Sequence, residues 1–166
     1  MANTILTHSS LLHGKHVAVI GSSGFIGSHV VQALLDSGCI VHSFSRSFPG
    51  LISESSTTHP NFYHKFLTLS DPQLVRISLK QIDIVIHLAC STLPKQSNEM
   101  PHKDVTDNVL GTLNLLDACI ANNISKFVFI SSGGTVYGLP SSVPIPENHS
   151  TEPICSYGIS KLAIEK

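Results

Sequence analysis

The chain has 166 residues, which is the length of one ordinary domain. Hydrophobic residues make up 42% of it and charged residues only 13%, against roughly 25% in an average soluble domain, so we expect a buried core and some apolar surface that a further domain, a subunit or a cofactor covers. The formal net charge of −1 provides no basic field, and we therefore expect neither nucleic acid nor a membrane surface as a partner.

The N-terminal residues 1–13 are rich in Ser, Thr and His and have neither the basic start nor the apolar run of a secretory signal. We expect a flexible extension there, followed by one domain over residues 14–166. No stretch approaches the ~20 apolar residues of a membrane span.

The four cysteines lack paired or zinc-type spacing, which favours reduced thiols of a cytoplasmic protein. Ten histidines without a helical i, i+4 pair in an apolar run make a metal site unexpected. The cysteines are Cys39, Cys90, Cys119 and Cys155.

The first part of the chain has the pattern of a βαβ unit. The apolar run Lys15–Ile20 predicts a buried strand, and apolar residues at helical spacing over Phe25–Ser37 predict a helix that Gly38 ends. A second strand is predicted over Cys39–Phe44, and a polar loop over Ser45–Pro60.

Three further elements follow in the middle of the chain. A third strand is predicted over Asn61–Leu67, and Asp71-Pro72 is a start signal for a helix. The continuous apolar run Asp83–Ala89 is typical of a strand buried on both faces. A loop is then predicted over Ser91–Lys103.

A long helix is predicted over Asp104–Asn122, with one apolar stripe that faces the core. The stripe consists of Val105, Val109, Leu113, Leu116 and Ile120. A fifth strand over Lys126–Ser131, a turn-rich stretch over 133–153 and a helix from Ser156 complete the chain. This alternation predicts an α/β, Rossmann-type doubly wound parallel sheet with the strand order 3-2-1-4-5, incomplete at its C-terminal end.

The loop between the first strand and the first helix reads Gly-Ser-Ser-Gly-Phe-Ile-Gly over residues 21–27. Its glycines permit a tight turn, a close approach of backbone to phosphate oxygens, and close packing of the helix on the sheet. With the free N–H groups of the helix start, this pattern predicts a site for the pyrophosphate of a nicotinamide dinucleotide. The alternative is a structural glycine turn in an α/β protein that binds another ligand. The predicted contacts are Gly21, Ser23, Gly24, Phe25, Ile26 and Gly27.

The end of the second strand bears on which dinucleotide binds. A domain that prefers NAD places Asp or Glu there to accept from the ribose 2′-OH, but this chain has Ser45 and Arg46. We predict that Arg46 pairs with a 2′-phosphate and that Ser45 hydrogen-bonds it, which favours NADP. Alternatively, Arg46 is a solvated loop residue that stacks on adenine.

Tyr157 and Lys161 lie four residues apart on one face of the last predicted helix. We expect the ammonium group to lower the pKa of the phenol, so that Tyr157 exchanges a proton with a substrate hydroxyl while hydride moves to or from nicotinamide. Lys161 would also hydrogen-bond the nicotinamide ribose. Taken alone, such a pair is equally typical of an ordinary exposed helix face.

Five motifs in order resemble those of the extended short-chain dehydrogenase/reductases, most closely the NAD-dependent epimerase/dehydratase family that acts on nucleotide sugars. They are the glycine loop over 21–27, Asp83–Ala89 (DIVIHLA), Asn108–Thr112 (NVLGT), Ser131–Gly138 (SSGGTVYG) and Tyr157–Lys161 (YGISK). The resemblance implies NAD as cofactor, backbone contacts to it from Leu88 and Ala89, and a cofactor-side loop fixed by Asn108. It also implies Tyr157 as the acid/base, Lys161 as its partner, and epimerisation of a nucleotide sugar by transfer of hydride from C4 and back.

The chain departs from the family pattern at three places. The family has Ser or Thr three residues before Val-Tyr-Gly, where this chain has Gly133, so Ser132 or Thr135 would have to act as the catalytic hydroxyl. The Asp that contacts adenine after the third strand is replaced by residues 67–70 (LTLS). The third departure is the missing carboxylate after the second strand.

Members of the family are considerably longer, and we expect this chain to lack the C-terminal substrate domain and to have little epimerase activity alone. The open sheet edge would then favour marginal stability or association, with a homodimer as one form. Two alternatives remain: an NADPH-dependent carbonyl reductase of the same superfamily, which Arg46 favours, and a non-catalytic dinucleotide-binding sensor or remnant, which Gly133 favours. A dehydratase is disfavoured because Gly134 and Thr135 occupy positions where acidic residues are usual.

Overall fold

A computed structural model describes residues 11–48 and 50–166 of the chain. Most of the predicted N-terminal extension, residues 1–10, and Pro49 of the predicted polar loop lie outside the described residues. The described chain forms one five-stranded, all-parallel sheet in the order β3-β2-β1-β4-β5. This confirms the predicted α/β fold and its strand order.

The elements alternate along the chain as the sequence predicts, and each strand end lies within two residues of its predicted position. None of the helices within residues 11–48 and 50–166 is both long enough and apolar enough to cross a bilayer. The strands are β1 (His16–Ile20), β2 (Ile40–Ser45), β3 (Phe62–Phe66), β4 (Ile84–His87) and β5 (Lys126–Phe129). The helices are α1 (Phe25–Asp36), α2 (Glu54–Thr57), α3 (Pro72–Ser78), α4 (Pro94–Glu99), α5 (Pro101–Asp104), a π-helical turn (Val105–Leu110), α6 (Gly111–Ala121) and α7 (Ser156–Glu165).

The central strand β1 divides the core into two layers because successive side chains point to opposite faces of the sheet. On one face Ala18 belongs to a cluster with Val75 of α3 and Leu115 of α6. On the other face Val19 packs in a cluster with Val31 of α1. All five of these side chains are fully buried. The strand order reverses between β2 and β4 on either side of β1, which opens a crevice at the carboxyl ends of these strands.

Two predicted loops contain short helices, and the loop predictions were wrong there. The segment Ser91–Lys103 contains α4 and most of α5, which begin at Pro94 and Pro101. Proline is favoured at the first position of a helix because its missing N–H has no intrahelical partner there. The loop Ser45–Pro60 contains α2, whose start is capped by the Ser53 side chain. Helices of only four to six residues carry too little periodicity to be recognised in a sequence.

The apolar stripe predicted for the long helix faces outward, so that prediction was wrong. Val105, Leu113 and Ile120 are 45%, 51% and 76% exposed, whereas Leu115 is fully buried. The buried side of this helical segment begins with three polar residues and becomes apolar only afterwards. Periodicity therefore selected the more hydrophobic side rather than the side that packs on the sheet. The three polar residues are Asp104, Asn108 and Thr112.

We predict that Leu115→Ala lowers the free energy of unfolding by about 2–5 kcal/mol, because it leaves a cavity between α6 and the sheet. Leu113→Ala, two residues earlier on the same helix and half exposed, is the matched control and should change stability by less than about 0.5 kcal/mol. Urea unfolding of both variants measures the difference. Equal losses from the two variants would contradict the observed orientation of α6.

Candidate active site

Two glycines of the loop over residues 21–27 are required by close packing. Gly21 has φ +88°, and a Cβ there would lie 2.7 Å from the backbone nitrogen of Ala89. A Cβ at Gly27 would lie 2.7 Å from the Cα of Ser22, which brings α1 directly against the turn. The turn after β1 therefore contacts both the end of β4 and the start of α1.

Gly24 differs from the other two because the structure leaves room beside it. It is the N-cap of α1 with extended backbone (φ −79°, ψ 176°), and a Cβ there would have only one ordinary contact, 3.5 Å from the oxygen of Gly21. Among the described residues no side chain caps the start of this 12-residue helix. The first-turn N–H groups and the positive end of the helix dipole are thus available to an anion, as a pyrophosphate requires.

A cleft of about 470 Å³ opens at the carboxyl ends of β1 to β4. Eight of the predicted cofactor contacts line it, which brings together residues from four separate segments of the chain. Phe25 and Ile26 lie outside its wall, 73% and 53% exposed, and Gly27 is buried behind the turn. The eight are Gly21, Ser23, Gly24, Ser45, Arg46, Leu88, Ala89 and Asn108.

Several further residues line the cleft that were not predicted as contacts. Thr68, Leu69 and Ser70 follow β3, and their position at a strand's carboxyl end was a signal that could have identified them. Lys103 and Asp107 come from α5 and the π-helical turn, whose return to the cleft no local pattern indicates.

Charged residues collect at the end of the cleft next to β2. The Lys103 ammonium lies 2.5 Å from a carboxylate oxygen of Asp107. Burial works to raise the pKa of Asp107, but hydrogen bonds from Lys103 and Ser91 and the positive charges of Lys103 and Arg46 outweigh it and lower this pKa. This end of the cleft thus holds two cations and one ionised carboxylate.

Asn108 connects the helical segment to the loop that follows β4. Its Oδ1 accepts from the backbone N–H of Ser91 at 3.0 Å, and its Nδ2 donates to Thr92 Oγ1 at 3.0 Å and to Asp104 at 2.9 Å. These bonds hold the loop after β4 at the wall of the cleft.

Lys161 is buried beside the cleft and points toward β5. Its Nζ donates to the Ile130 carbonyl at 2.8 Å and lies 4.6 Å from the ring centre of Phe129, against 5.7 Å from that of Tyr157. Burial lowers the pKa of Lys161, which is only 6% exposed. The ammonium group is therefore directed at a carbonyl rather than at the phenol.

The pKa of Tyr157 is raised, and the expectation that Lys161 lowers it was wrong for this structure. Burial is the largest cause, and negative charge at Cys90 and Asp104 acts in the same direction. A hydrogen bond from the Ser132 side chain works in the opposite direction. Tyr157 consequently keeps its proton at neutral pH.

Of the two candidate hydroxyls, Ser132 is the one that acts on the pKa of Tyr157. Thr135 Oγ1 is buried without a hydrogen-bond partner among residues 11–48 and 50–166. The Thr135 carbonyl contacts α7 at Gly158, where a Cβ would lie 2.5 Å from its oxygen. A Cβ built at Gly133 would meet no described atom within 4 Å, so the position of the family hydroxyl is open.

His87, at the end of β4, is a buried titratable group that sequence reasoning did not single out. It is 2% exposed, and its Nε2 lies 3.0 Å from Thr112 Oγ1, while Nδ1 has no partner in the described part of the chain. Burial, and to a lesser extent the positive charge of Lys161, lower its pKa to about 4. His87 is therefore neutral at physiological pH.

The described residues contain no cluster of three or more potential metal ligands.

Comparison with known proteins gives consistent matches. The NAD dependent epimerase/dehydratase family matches residues 17–166. UDP-glucose 4-epimerase of Halalkalibacterium halodurans is 36% identical over 155 residues, which cover 90% of this chain and 44% of that protein. The structure of UDP-glucose 4-epimerase from Brucella ovis in complex with NAD superposes with a TM-score of 0.80 at 32% identity, over 92% of this chain and 46% of that one.

A second solved structure, UDP-glucose 4-epimerase with UDP-glucose from Thermotoga maritima, has a TM-score of 0.80 at 33% identity, over 90% of this chain and 48% of that one. The chain thus spans about half the length of the relatives that it matches.

We predict that His87 makes stability depend on acidity. In the unfolded chain His87 binds a proton near pH 6.5, whereas in the folded chain it does so only near pH 4. The free energy of unfolding therefore falls as the pH drops through this window. His87→Gln, which keeps a donor for Thr112, should reduce this slope in urea unfolding measured between pH 7 and pH 4. His102→Gln, at an exposed histidine, is the control and should leave the slope unchanged. Identical slopes for His87→Gln and the unsubstituted protein would contradict the assignment.

Proposed function

The chain belongs to the NAD dependent epimerase/dehydratase family, and from this premise we propose that it binds a nicotinamide dinucleotide in the 470 Å³ cleft and supplies the acid/base pair of a nucleotide-sugar epimerase. The proposal rests on one observation, that the cleft lies next to the Tyr157–Lys161 pair. Cys90 lines the cleft and also lies close enough to Tyr157 and Lys161 to affect the pKa of both. The cleft and the acid/base pair are therefore neighbours.

The residues present fit the proposed cofactor. The uncapped start of α1 and the free space at Gly24 suit a pyrophosphate. Leu88 and Ala89 provide backbone at the end of β4, and Arg46 lies at the end of β2. When bound, the nicotinamide ring supplies the acceptor and donor of hydride.

The roles that we propose for the acid/base residues follow from their surroundings. Tyr157, protonated in the free protein, exchanges a proton with the sugar hydroxyl, and Ser132, which works to lower the pKa of Tyr157, is the hydroxyl that we propose assists it. Lys161 places a buried ammonium group 5.7 Å from the centre of the Tyr157 ring, and we propose that it hydrogen-bonds the nicotinamide ribose when the cofactor is bound.

We infer the substrate class from the relatives. The Halalkalibacterium, Brucella and Thermotoga proteins are named UDP-glucose 4-epimerases, and the Thermotoga structure holds UDP-glucose. A nucleotide sugar is therefore the class that we propose for this chain, with reversal of configuration at C4 as the reaction.

A second candidate, an NADPH-dependent carbonyl reductase, is favoured by one specific observation. Arg46 and Lys103 both line the cleft, together with Ser23, Ser45 and Ser47, where a carboxylate would serve NAD. The Ser45 hydroxyl donates to the Ser47 carbonyl, so the two cations and the hydroxyls of Ser23 and Ser47 are the groups that suit a 2′-phosphate. Binding without any hydride chemistry would instead favour the sensor alternative.

Gly24→Ala tests the cleft without disturbing the fold. We predict a change in the free energy of unfolding within about 1 kcal/mol, because a cap glycine is replaced and the new methyl group meets ordinary contacts only. The affinity for dinucleotide should fall at least about tenfold, because the methyl group occupies the space that the pyrophosphate needs. Isothermal titration calorimetry and urea unfolding measure the two effects.

Gly27→Ala is the contrasting variant. Its methyl group would clash with Ser22 and Gly21, so we predict a loss of stability of about 1–3 kcal/mol or more. Undiminished dinucleotide binding by Gly24→Ala would refute the proposed site, and failure of the unsubstituted protein to bind either dinucleotide would refute the proposed function.

Arg46→Ala tests the choice between the two dinucleotides. If Arg46 binds a 2′-phosphate, the affinity for NADP⁺ should fall about tenfold or more while that for NAD⁺ stays within about twofold, since a charge-assisted hydrogen bond is lost with only one ligand. Arg76→Ala, at an exposed arginine of α3, is the matched control for loss of a positive charge. Equal effects of Arg46→Ala on both affinities would remove the support for NADP.

A further inference from the structure

Asp104 is a carboxylate with no exposed surface and no ion-pair partner among the described residues. Four side chains donate to it instead, and such complete hydrogen bonding is what a buried charge needs to be tolerated. The four donors are Thr92, Asn108, Ser156 and Ser160.

The two oxygens of Asp104 serve two different parts of the site. Oδ1 accepts from Thr92 and from Asn108 Nδ2 at 2.9 Å. Asn108 lines the cleft, and Thr92 belongs to the loop after β4 that Asn108 holds in place. Oδ2 accepts from Ser156 Oγ at 3.2 Å and from Ser160 Oγ at 2.6 Å. One carboxylate therefore joins the loop after β4 to α7.

The serines on the Oδ2 side immediately precede the acid/base residues. Ser156 comes before Tyr157 and Ser160 before Lys161, so the two serines are one helical turn apart on the face that meets Asp104. Asp104 also lies at the N-terminal turn of α7, where the helix dipole stabilises negative charge. A shift of this contact would move both functional side chains together.

The start of α7 has a second attachment, to α4. The backbone N–H of Ser156 donates to Asn98 Oδ1 and that of Tyr157 donates to Ser97 Oγ, both at 2.9 Å. Both bonds end on α4, which carries no residue of the cleft wall. Among the described side-chain contacts, Asp104 thus joins α7 to Asn108, which lines the cleft.

We propose that Asp104 is a positioning residue: its buried carboxylate holds the Tyr157–Lys161 helix at a fixed distance from the cofactor cleft through Ser156 and Ser160 on one side and Thr92 and Asn108 on the other. This inference rests on the proposed function, because it gives a purpose to the position of Tyr157. It adds a residue that touches neither the cleft nor the acid/base pair.

The same carboxylate also sets the electrostatics of the pair. Its negative charge raises the pKa of Tyr157 and that of Lys161. The groups that act on Tyr157 besides Asp104 are Cys90, Ser132 and Cys155. Removal of the Asp104 charge without a change in shape should therefore lower the pKa of Tyr157.

The first measurement is a titration of Tyr157 in the 166-residue chain labelled with ¹³Cζ-tyrosine. The chain has three tyrosines, so Tyr157→Phe assigns the signal. In Asp104→Asn we expect the midpoint of Tyr157 to fall by about 0.5 pH unit or more, because a nearby negative charge is removed from a poorly solvated site. Asp117→Asn, an exposed aspartate of α6, is the control and should leave the midpoint unchanged.

The second measurement tests positioning rather than charge. Ser160 does not line the cleft, yet Ser160→Ala should weaken dinucleotide binding about threefold to tenfold through Asp104, since a hydrogen bond to a charged group is lost. In the Asp104→Asn background the same substitution should have no further effect. Calorimetric titration of NAD⁺ and NADP⁺ with the single and double variants gives both numbers.

The outcomes separate the two proposals. An unchanged Tyr157 midpoint in Asp104→Asn, or equal effects of Ser160→Ala in both backgrounds, would overturn the positioning role while the proposed function stands. No binding of dinucleotide by the unsubstituted chain would refute the proposed function itself. If Asp104→Asn does not fold, Thr92→Val and Ser160→Ala replace it: non-additive losses of affinity support the link, and additive losses overturn it.

Discussion

The site depends on one close contact between backbone segments, the approach of the turn after β1 to the end of β4. Gly21 has no room for a side chain because the Ala89 backbone lies where a Cβ would be, and Gly27 brings α1 against the same turn. This contact forms the floor of the cleft and points the uncapped end of α1 into it. The parallel sheet is what makes the contact possible, since it brings the carboxyl ends of non-consecutive strands to one edge.

The strands and the first helix could be predicted because local patterns of apolar residues indicate which of their residues are buried. β1 and β4 are almost continuous apolar runs, as the centre of a parallel sheet requires, and Gly38 ends α1 with φ +76°. The face of α6 could not be predicted in this way. Its segment begins on the buried side with Asp104, and three of the four donors that make this burial favourable lie 12, 52 and 56 residues away in sequence.

The candidate site shows the same limit. The glycine loop and the ends of β2 and β4, which were predicted as contacts, line the cleft because the strand order places them at one edge of the sheet. The contacts of the Tyr157–Lys161 pair could not be predicted in this way, because spacing on a helix says nothing about competing acceptors. The carbonyl of Ile130 holds the Lys161 ammonium, and burial then controls the phenol. Lys103 was likewise missed, since its place in the cleft depends on how α5 returns to the sheet.

Few residues of the chain are charged, and two of them lie buried close to Tyr157. Only 13% of the residues are charged, yet Asp104 and Lys161 are both buried within reach of the same phenol. Charges in such surroundings interact more strongly than on the surface, because little water screens them. The pKa of Tyr157 therefore responds to small displacements of Asp104. A helix that carries the proposed acid/base residue must then be held rigidly, and in our proposal a buried, fully hydrogen-bonded carboxylate does this at the cost of desolvating one charge. The buried face of this helical segment begins with Asp104, Asn108 and Thr112, and these polar residues are the reason that the hydropathy pattern predicted the wrong face. In our proposal this polar part of the core serves the chemistry rather than the fold.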